Sequence, residues 1–162
     1  MAAVLKRHEQ VVVISDEIYE YINFTATFTS IGSLPGMQDR VATVNGFSKG
    51  FAMTGWRIGY VAAPTWLANA CGRMQSQLTS ATCAIAQRAA LAALQLDRSL
   101  ISEMVADYQH HRDLSMQMLG ELPGFKILKP LGGFYLFPDI SAYFGYTDGE
   151  TTIQHANDFC MY

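Results

Sequence analysis

The stretch Asn45-Gly46-Phe47-Ser48-Lys49-Gly50-Phe51-Ala52-Met53-Thr54-Gly55-Trp56-Arg57-Ile58-Gly59-Tyr60 constrains this chain more than any other. It follows the short apolar run 41–44, so it reads as the end of a buried strand that delivers Lys49 into a loop. A lysine placed among Phe47, Phe51, Met53 and Trp56 is expected to be partly desolvated. Desolvation disfavours an ammonium ion and leaves an amine able to attack an aldehyde or ketone. Further along, Arg57 offers a planar fork of donors suited to a phosphate or carboxylate. Glycines at 46, 50, 55 and 59 admit close approach of backbone to a ligand or a neighbouring element. On these residues alone, a solvated lysine after a strand is the commoner arrangement.

Bulk properties narrow the classes open to it. A length of 162 residues suffices for one domain with a sizeable core. With 50% hydrophobic and 15% charged residues, the chain is expected to be globular rather than disordered. A net charge of −3 gives no reason to expect nucleic acid or an acidic membrane as partner. Cys71, Cys83 and Cys160 are odd in number and form no CxxC, which argues against a disulfide framework or a metal site. No apolar run approaches the length needed to span a membrane. In residues 1–7 the charges follow the apolar residues, the reverse of a secretory leader, so the reduced cytoplasm is the expected compartment.

In chain order, residues 2–9 read as a helix tail closed by Lys6, Arg7 and His8. Such a tail leads to the expectation that the natural chain began earlier. Residues 10–15 read as a parallel strand covered on both faces. Asp16-Glu17-Ile18-Tyr19 stands at its carboxyl end, where open α/β sheets place ligands. Read alone, Asp16 is more readily a helix cap or turn residue than a ligand-binding one. Residues 23–40 read as a surface loop, 41–44 and 58–63 as strands, and Thr65 as the cap of a helix. Helices are expected at about 81–95 and 98–122, the latter with Ile101, Val105, Tyr108 and Leu119 among its apolar positions. Pro123-Gly124 reads as a boundary or hinge, followed by strands at 125–128 and 134–137 and a helix over 151–162. On that last helix Ile153, Ala156, Phe159 and Cys160 share a face. His110 and His111 are adjacent and do not share a helix face, so they read as a solvated pair rather than metal ligands.

Gly46, Phe47, Ser48, Lys49, Gly55, Arg57 and Gly59 meet every position of a spaced pattern. The stretch resembles the cofactor-attachment site of the class I pyridoxal-phosphate-dependent aminotransferases, of the aspartate-aminotransferase-like kind. Asp16-Glu17-Ile18-Tyr19 is similar to the family's Asp-x-x-Tyr motif, and Gly132-Gly133-Phe134-Tyr135 resembles a bacterial and plant subgroup. The resemblance implies an α/β fold: a partial large domain, mostly parallel sheet with helices, and the start of a small α+β domain. It places residues 1–96 in the large cofactor domain, 97–122 in an interdomain helix and 123–162 in the small domain. The implied cofactor is pyridoxal 5'-phosphate, and the implied partners are amino-acid and 2-oxo-acid substrates and a second copy in a homodimer.

Roles follow from the same resemblance. Lys49 would carry the cofactor covalently and move protons, and Asp16 would pair with its ring nitrogen. Tyr19 would hydrogen-bond its phenolic oxygen, Arg57 would clamp its phosphate, and Phe134 would border the substrate side or serve a hairpin core. The implied reaction moves an amino group between an aspartate-like amino acid and a 2-oxo acid by a ping-pong route. Two alternatives stay open, a lyase on the same scaffold and an aminotransferase-like sensor domain of a transcription regulator. The similarity covers a middle-to-late portion of the family's length. The phosphate loop, the ring-stacking aromatic, the asparagine beside the phenolic oxygen and the substrate-carboxylate arginine are expected outside residues 1–162. Many members carry a hydroxyl where this chain has Gly46, so one phosphate contact is expected to be absent. The isolated 162 residues are therefore expected to be inactive.

Overall fold

The computed structural model describes residues 1–25 and 27–161; Ala26, within the expected loop, and Tyr162, at the end of the expected last helix, lie outside the described residues. The chain divides into two compact units, Met1–Val105 and the residues from Ala106 onward. The class is α/β, with a small mixed sheet and flanking helices.

The first unit opens with helix α1 (Ala2–Leu5), shorter than expected, and strand β1 (Val13–Asp16). Sequence reasoning gave the end of α1 to Lys6, Arg7 and His8. The cation that binds carbonyls there is Arg40, whose guanidinium donates to Leu5 O at 2.6 Å and His8 O at 2.8 Å. Strand β2 (Val41–Gly46) runs parallel to β1, with Asp16 level with Val44. Strand β3 (Gly59–Ala62) runs antiparallel to β2, and the order is β1-β2-β3. Covering on both faces was expected, but Ile14 is 76% exposed and Val44 and Val61 are exposed on the same face. Ala42, on that same face, is nevertheless buried at 5%, so the double covering expected of these strands is only partly met.

Helix α2 (Thr65–Leu78) begins at Thr65, and its cap is Pro64 in an extended conformation, not Thr65. Proline needs no amide partner, so it can precede a first turn whose amides are unpaired anyway. Helix α3 (Ala84–Leu94) is rich in alanine, the strongest helix former. Its small side chains let Ala90 and Ala93 come close to Phe47 and Met53, and these four form the buried cluster beside which Phe51 and Ile58 pack. The 23–40 loop is better anchored than its composition implied: Met37 is fully buried, and Ser30 starts a 3-10 turn over Ile31–Ser33.

Helix α4 (Arg98–Gly120) contains the division between the units. Ile101, Val105, Tyr108 and Leu119 are half-buried, as their spacing predicted, but the buried residue of the stripe is Arg112. Its side chain donates to Asp113 Oδ1 at 2.9 Å and to Pro130 O at 3.1 Å. The expected hairpin is displaced. Strand β4 (Lys126–Ile127) pairs antiparallel with β5 (Pro138–Asp139), not with residues 134–137. Phe134 instead stacks on Tyr108 with ring centroids 5.2 Å apart. Helix α5 (Ala156–Met161) is shorter than expected; Ile153 is buried ahead of it, while Ala156 and Cys160 are exposed. Among the described residues no helix is long and apolar enough to cross a membrane, and no cluster of metal-ligating side chains occurs.

Candidate functional site

Asp16 ends β1, and Lys49 follows the last residue of β2 by a few positions. Because these neighbours are parallel and in register, both residues lie at the same edge of the sheet, beyond the carboxyl ends of the strands. The loop between β2 and β3 is short of room and held locally. Ala52 N donates to Lys49 O at 3.2 Å and Met53 N to Phe47 O at 3.1 Å. Ala52 and Arg57 both take φ near +52°, a left-handed conformation that costs non-glycine residues of order 1 kcal/mol and concentrates at functional sites.

Lys49 is half-buried, and its Nζ lies 5.9 Å from the centroid of the Tyr19 ring. The structure thus brings these two predicted residues together. Asp16 is exposed, and its carboxylate accepts the Ile18 amide at 3.2 Å, a turn contact of the kind its alternative reading foresaw. Arg57 is exposed and donates to Thr54 O at 3.0 Å, which engages part of a fork with five N–H donors.

Three of the four glycines have a visible cause, Gly59 because a Cβ there would stand 2.9 Å from Asn45 O. A Cβ on Gly46 would stand 2.9 Å from Gly59 Cα and 3.0 Å from Ile58 O, and one on Gly50 would stand 2.5 Å from Tyr21 Cδ2. Backbone meets backbone at the first position and an aromatic ring at the second. A Cβ on Gly55 would meet nothing within 4 Å, so the close approach expected there is not made within this chain.

Sequence reasoning passed over Glu17, Tyr21 and Ser30. Glu17 is buried at 7% exposure, and its Oε1 accepts from Ser15 Oγ and Ser30 Oγ, each at 2.9 Å. That pins the 30s turn to the end of β1. Tyr21 packs edge-on against Phe51 at 5.2 Å, and Phe51 in turn lies 5.2 Å from Phe47. Burial, with Glu20 adding, pushes the Tyr21 hydroxyl above its ordinary pKa, while Arg98 pulls it the other way. Ser15, two residues before Glu17, was the one local signal, and Tyr21 gave none.

An open pocket of about 450 Å³ lies on the β3 side of the loop, lined by Phe47, Tyr60, Gln75 and Thr82 among others. Burial, and then Glu20, raises the Tyr60 hydroxyl as well.

Comparison with known proteins places this arrangement. The family described as aminotransferase class I and II matches residues 1–160. The bifunctional aspartate aminotransferase and glutamate/aspartate-prephenate aminotransferase of Petunia hybrida is 48% identical over 167 residues, across 100% of this chain and 35% of its own length. The aspartate aminotransferase of Pinus pinaster is 50% identical over 149 residues, 90% of this chain and 30% of its own. Among solved structures, the aspartate aminotransferase from Rhizobium meliloti matches with a TM-score of 0.93 at 36% identity, over 99% of this chain and 41% of that one. An aromatic aminotransferase from Pyrococcus horikoshii matches with a TM-score of 0.80 at 41% identity, over 85% and 37%. The chain spans about a third of the length of these curated relatives. With the lysine loop, the parallel strand pair and near-complete coverage by the family pattern in agreement, this chain belongs to the class I and II aminotransferases.

Proposed function

We propose that the full-length protein is a pyridoxal 5'-phosphate-dependent aminotransferase that exchanges an amino group between an aspartate-like amino acid and a 2-oxo acid in two alternating half-reactions. The single observation that carries this reading is the seating of Lys49 Nζ over Tyr19 at the carboxyl edge of β1 and β2. The plant relatives are aminotransferases by name, which supports transamination over the lyase and sensor alternatives.

The donor set suits the cofactor: a carboxylate ends β1 and a phenol follows it, and an amine and an exposed guanidinium lie in the loop after β2. One element is lacking, since Gly46 has no room for a hydroxyl-bearing side chain. When bound, the cofactor supplies an aldehyde for the amino group and a ring that accepts electron density from the substrate carbon. Lys49 would anchor it and afterwards carry a proton on Nζ. The Asp16 carboxylate would hold a proton at the ring nitrogen, where its negative charge favours the cation. The Tyr19 hydroxyl would donate to the phenolic oxygen and stabilise its anion. Arg57 would bind the phosphate through a charge-assisted fork.

In that protein residues 1–96 would belong to the cofactor domain, 97–122 to a connecting helix and 123–162 to the small domain, within a cytoplasmic homodimer. Residues 1–162 by themselves would not transaminate, since they span about a third of the relatives' length. The test is an assay of the full-length protein with aspartate or glutamate as donor and 2-oxoglutarate, oxaloacetate or prephenate as acceptor. Transfer that Lys49→Ala reduces by about three or more orders of magnitude is expected. Cofactor-loaded wild type that transfers no amino group to any of these acceptors would overturn the reading.

A further inference from the structure

Lys49 has a long, flexible stem with about 2 kcal/mol of rotamer entropy, so the position of its Nζ depends on how firmly its backbone is held. The next residue, Gly50, is buried yet contributes no side chain to hold anything. Glycine is also the most permissive backbone unit, so a cavity beside it would free the Lys49–Gly50 peptide.

The structure fills that place with Tyr21. An atom one bond beyond Gly50 Cα would meet Tyr21 Cδ2 at 2.5 Å and its Cβ and Cγ at 3.0 Å. The same ring packs edge-on against Phe51, the residue on the far side of Gly50, at 5.2 Å and 69°. Phe51 touches Phe47 at 5.2 Å, so the residues two before and two after Lys49 are joined by one aromatic contact that Tyr21 extends. Tyr21 is itself fastened. The guanidinium carbon of Arg98, first residue of α4, lies 5.6 Å from its ring centroid, and Ile22 beside it is 1% exposed. Two residues earlier in the same turn, Tyr19 lies beneath Lys49 Nζ.

We propose that Tyr21 is a positioning residue for Lys49, acting through Gly50 and Phe51 and fastened by Arg98. The proposal rests on the reading of Lys49 as the cofactor lysine. Tyr21 touches neither the amine nor the reacting atoms; it supplies, from β1's side of the loop, the bulk that Gly50 does not. Its ring is what matters, and its hydroxyl is not required by the contacts to Gly50 and Phe51.

The test uses the full-length protein and reads the rate at which pyridoxal 5'-phosphate and cyanoborohydride label each lysine, resolved by peptide mapping. Lys126 and Lys129, with side chains 75% and 59% exposed, serve in the same digest as rulers for unpositioned amines. Tyr21→Phe should label Lys49 at the wild-type rate. Tyr21→Leu should label it about tenfold or more slowly, as expected when a reacting group is misplaced by a fraction of an ångström, with Lys126 and Lys129 unchanged. Gly50→Ala should also be slow because the methyl meets the ring, and Tyr21→Ala with Gly50→Ala should recover part of the loss. That recovery is a coupling which general destabilisation does not produce. Arg98→Met lies on the exposed start of α4 and should slow labelling about two- to fivefold, the equivalent of an exposed cation–π contact. It decides the matter should Tyr21→Leu fail to fold. Labelling of Lys49 at the wild-type rate in Tyr21→Leu, or in Arg98→Met where the former does not fold, would overturn the positioning role alone. Wild-type protein that labels Lys126 and Lys129 but not Lys49 would overturn the underlying reading and the proposal with it.

Discussion

Gly46→Ser separates what the sequence recommends from what the structure allows. The family resemblance leads to the expectation of a hydroxyl at this position, so adding one appeals as a way to gain a phosphate contact worth about 1.5–3 kcal/mol, the range for hydrogen bonds to charged groups. In this chain the new Cβ would lie 2.9 Å from Gly59 Cα and 3.0 Å from Ile58 O. Both are backbone atoms, of β3 and of the residue leading into it, and cannot rotate away. Relief requires β2 and β3 to part at their last pair, Gly46 opposite Gly59, next to a Phe47 N–Ile58 O hydrogen bond that is already 3.4 Å long. Overpacking of this kind costs about 1–3 kcal/mol, and a weakened backbone hydrogen bond adds about 1. The cost of about 2–4 kcal/mol therefore matches or exceeds the gain. Urea unfolding of the cofactor-free full-length protein should show Gly46→Ser and Gly46→Ala destabilised alike, and cofactor titration should show no tighter binding for the serine. Gly55→Ser, with nothing within 4 Å, is the control and should stay within about 0.5 kcal/mol of wild type. A Gly46→Ser protein as stable as wild type and binding the cofactor more tightly would refute the reasoning.

Asp16→Asn should lower kcat far more than cofactor affinity, as for an interaction that strengthens in the transition state; steady-state rates set against a cofactor titration check this, and near-normal kcat would leave Asp16 only its turn contact with Ile18. Arg112→Met should lower stability by about 1–3 kcal/mol, because the Pro130 carbonyl loses its donor within a packed stripe, and urea unfolding would measure it. Asp113 offers a pH dependence: the hydrogen bond from Arg112, with Lys129 adding, holds its carboxyl below the ordinary range. A depressed folded pKa means the contribution is complete above the unfolded value of about 3.9 and disappears as pH falls through the lower folded value. Asp113→Asn should therefore unfold at slightly less urea than wild type at neutral pH, and the gap should narrow as the pH falls below the ordinary carboxylate range.

The parts of this fold that were legible in the sequence are those whose causes are local. The aliphatic run before Lys49, the alanine-rich α3 and the 3.6-residue stripe of α4 carry their periodicity within one segment. What was missed depends on partners far along the chain. Arg40 closes α1 from 35 positions away, Ser30 reaches Glu17 across 13, and Arg112 reaches Pro130 across 18. Arg112 has a local partner in Asp113, but the Pro130 carbonyl that helps compensate its burial in an apolar stripe is supplied only by the fold. The displaced hairpin has a different cause. Residues 134–137 have the aromatic composition of a strand, whereas Pro138 argues against one. The two-residue pairing at the sheet edge tolerates that proline, and Phe134 is used against Tyr108 instead. At the candidate site the motif residues were named from the family resemblance, but Gly50 and Tyr21 could not be paired, since only the structure shows the ring standing where a side chain would be.

The central claim is that Lys49 is the residue to which the cofactor is bound. The most direct measurement is to incubate the full-length protein with pyridoxal 5'-phosphate, reduce it with borohydride, digest it and map the labelled peptide. The account predicts stoichiometric label on Lys49 and its loss in Lys49→Ala. Label on Lys6, Lys126 or Lys129 with Lys49 unmodified would contradict it.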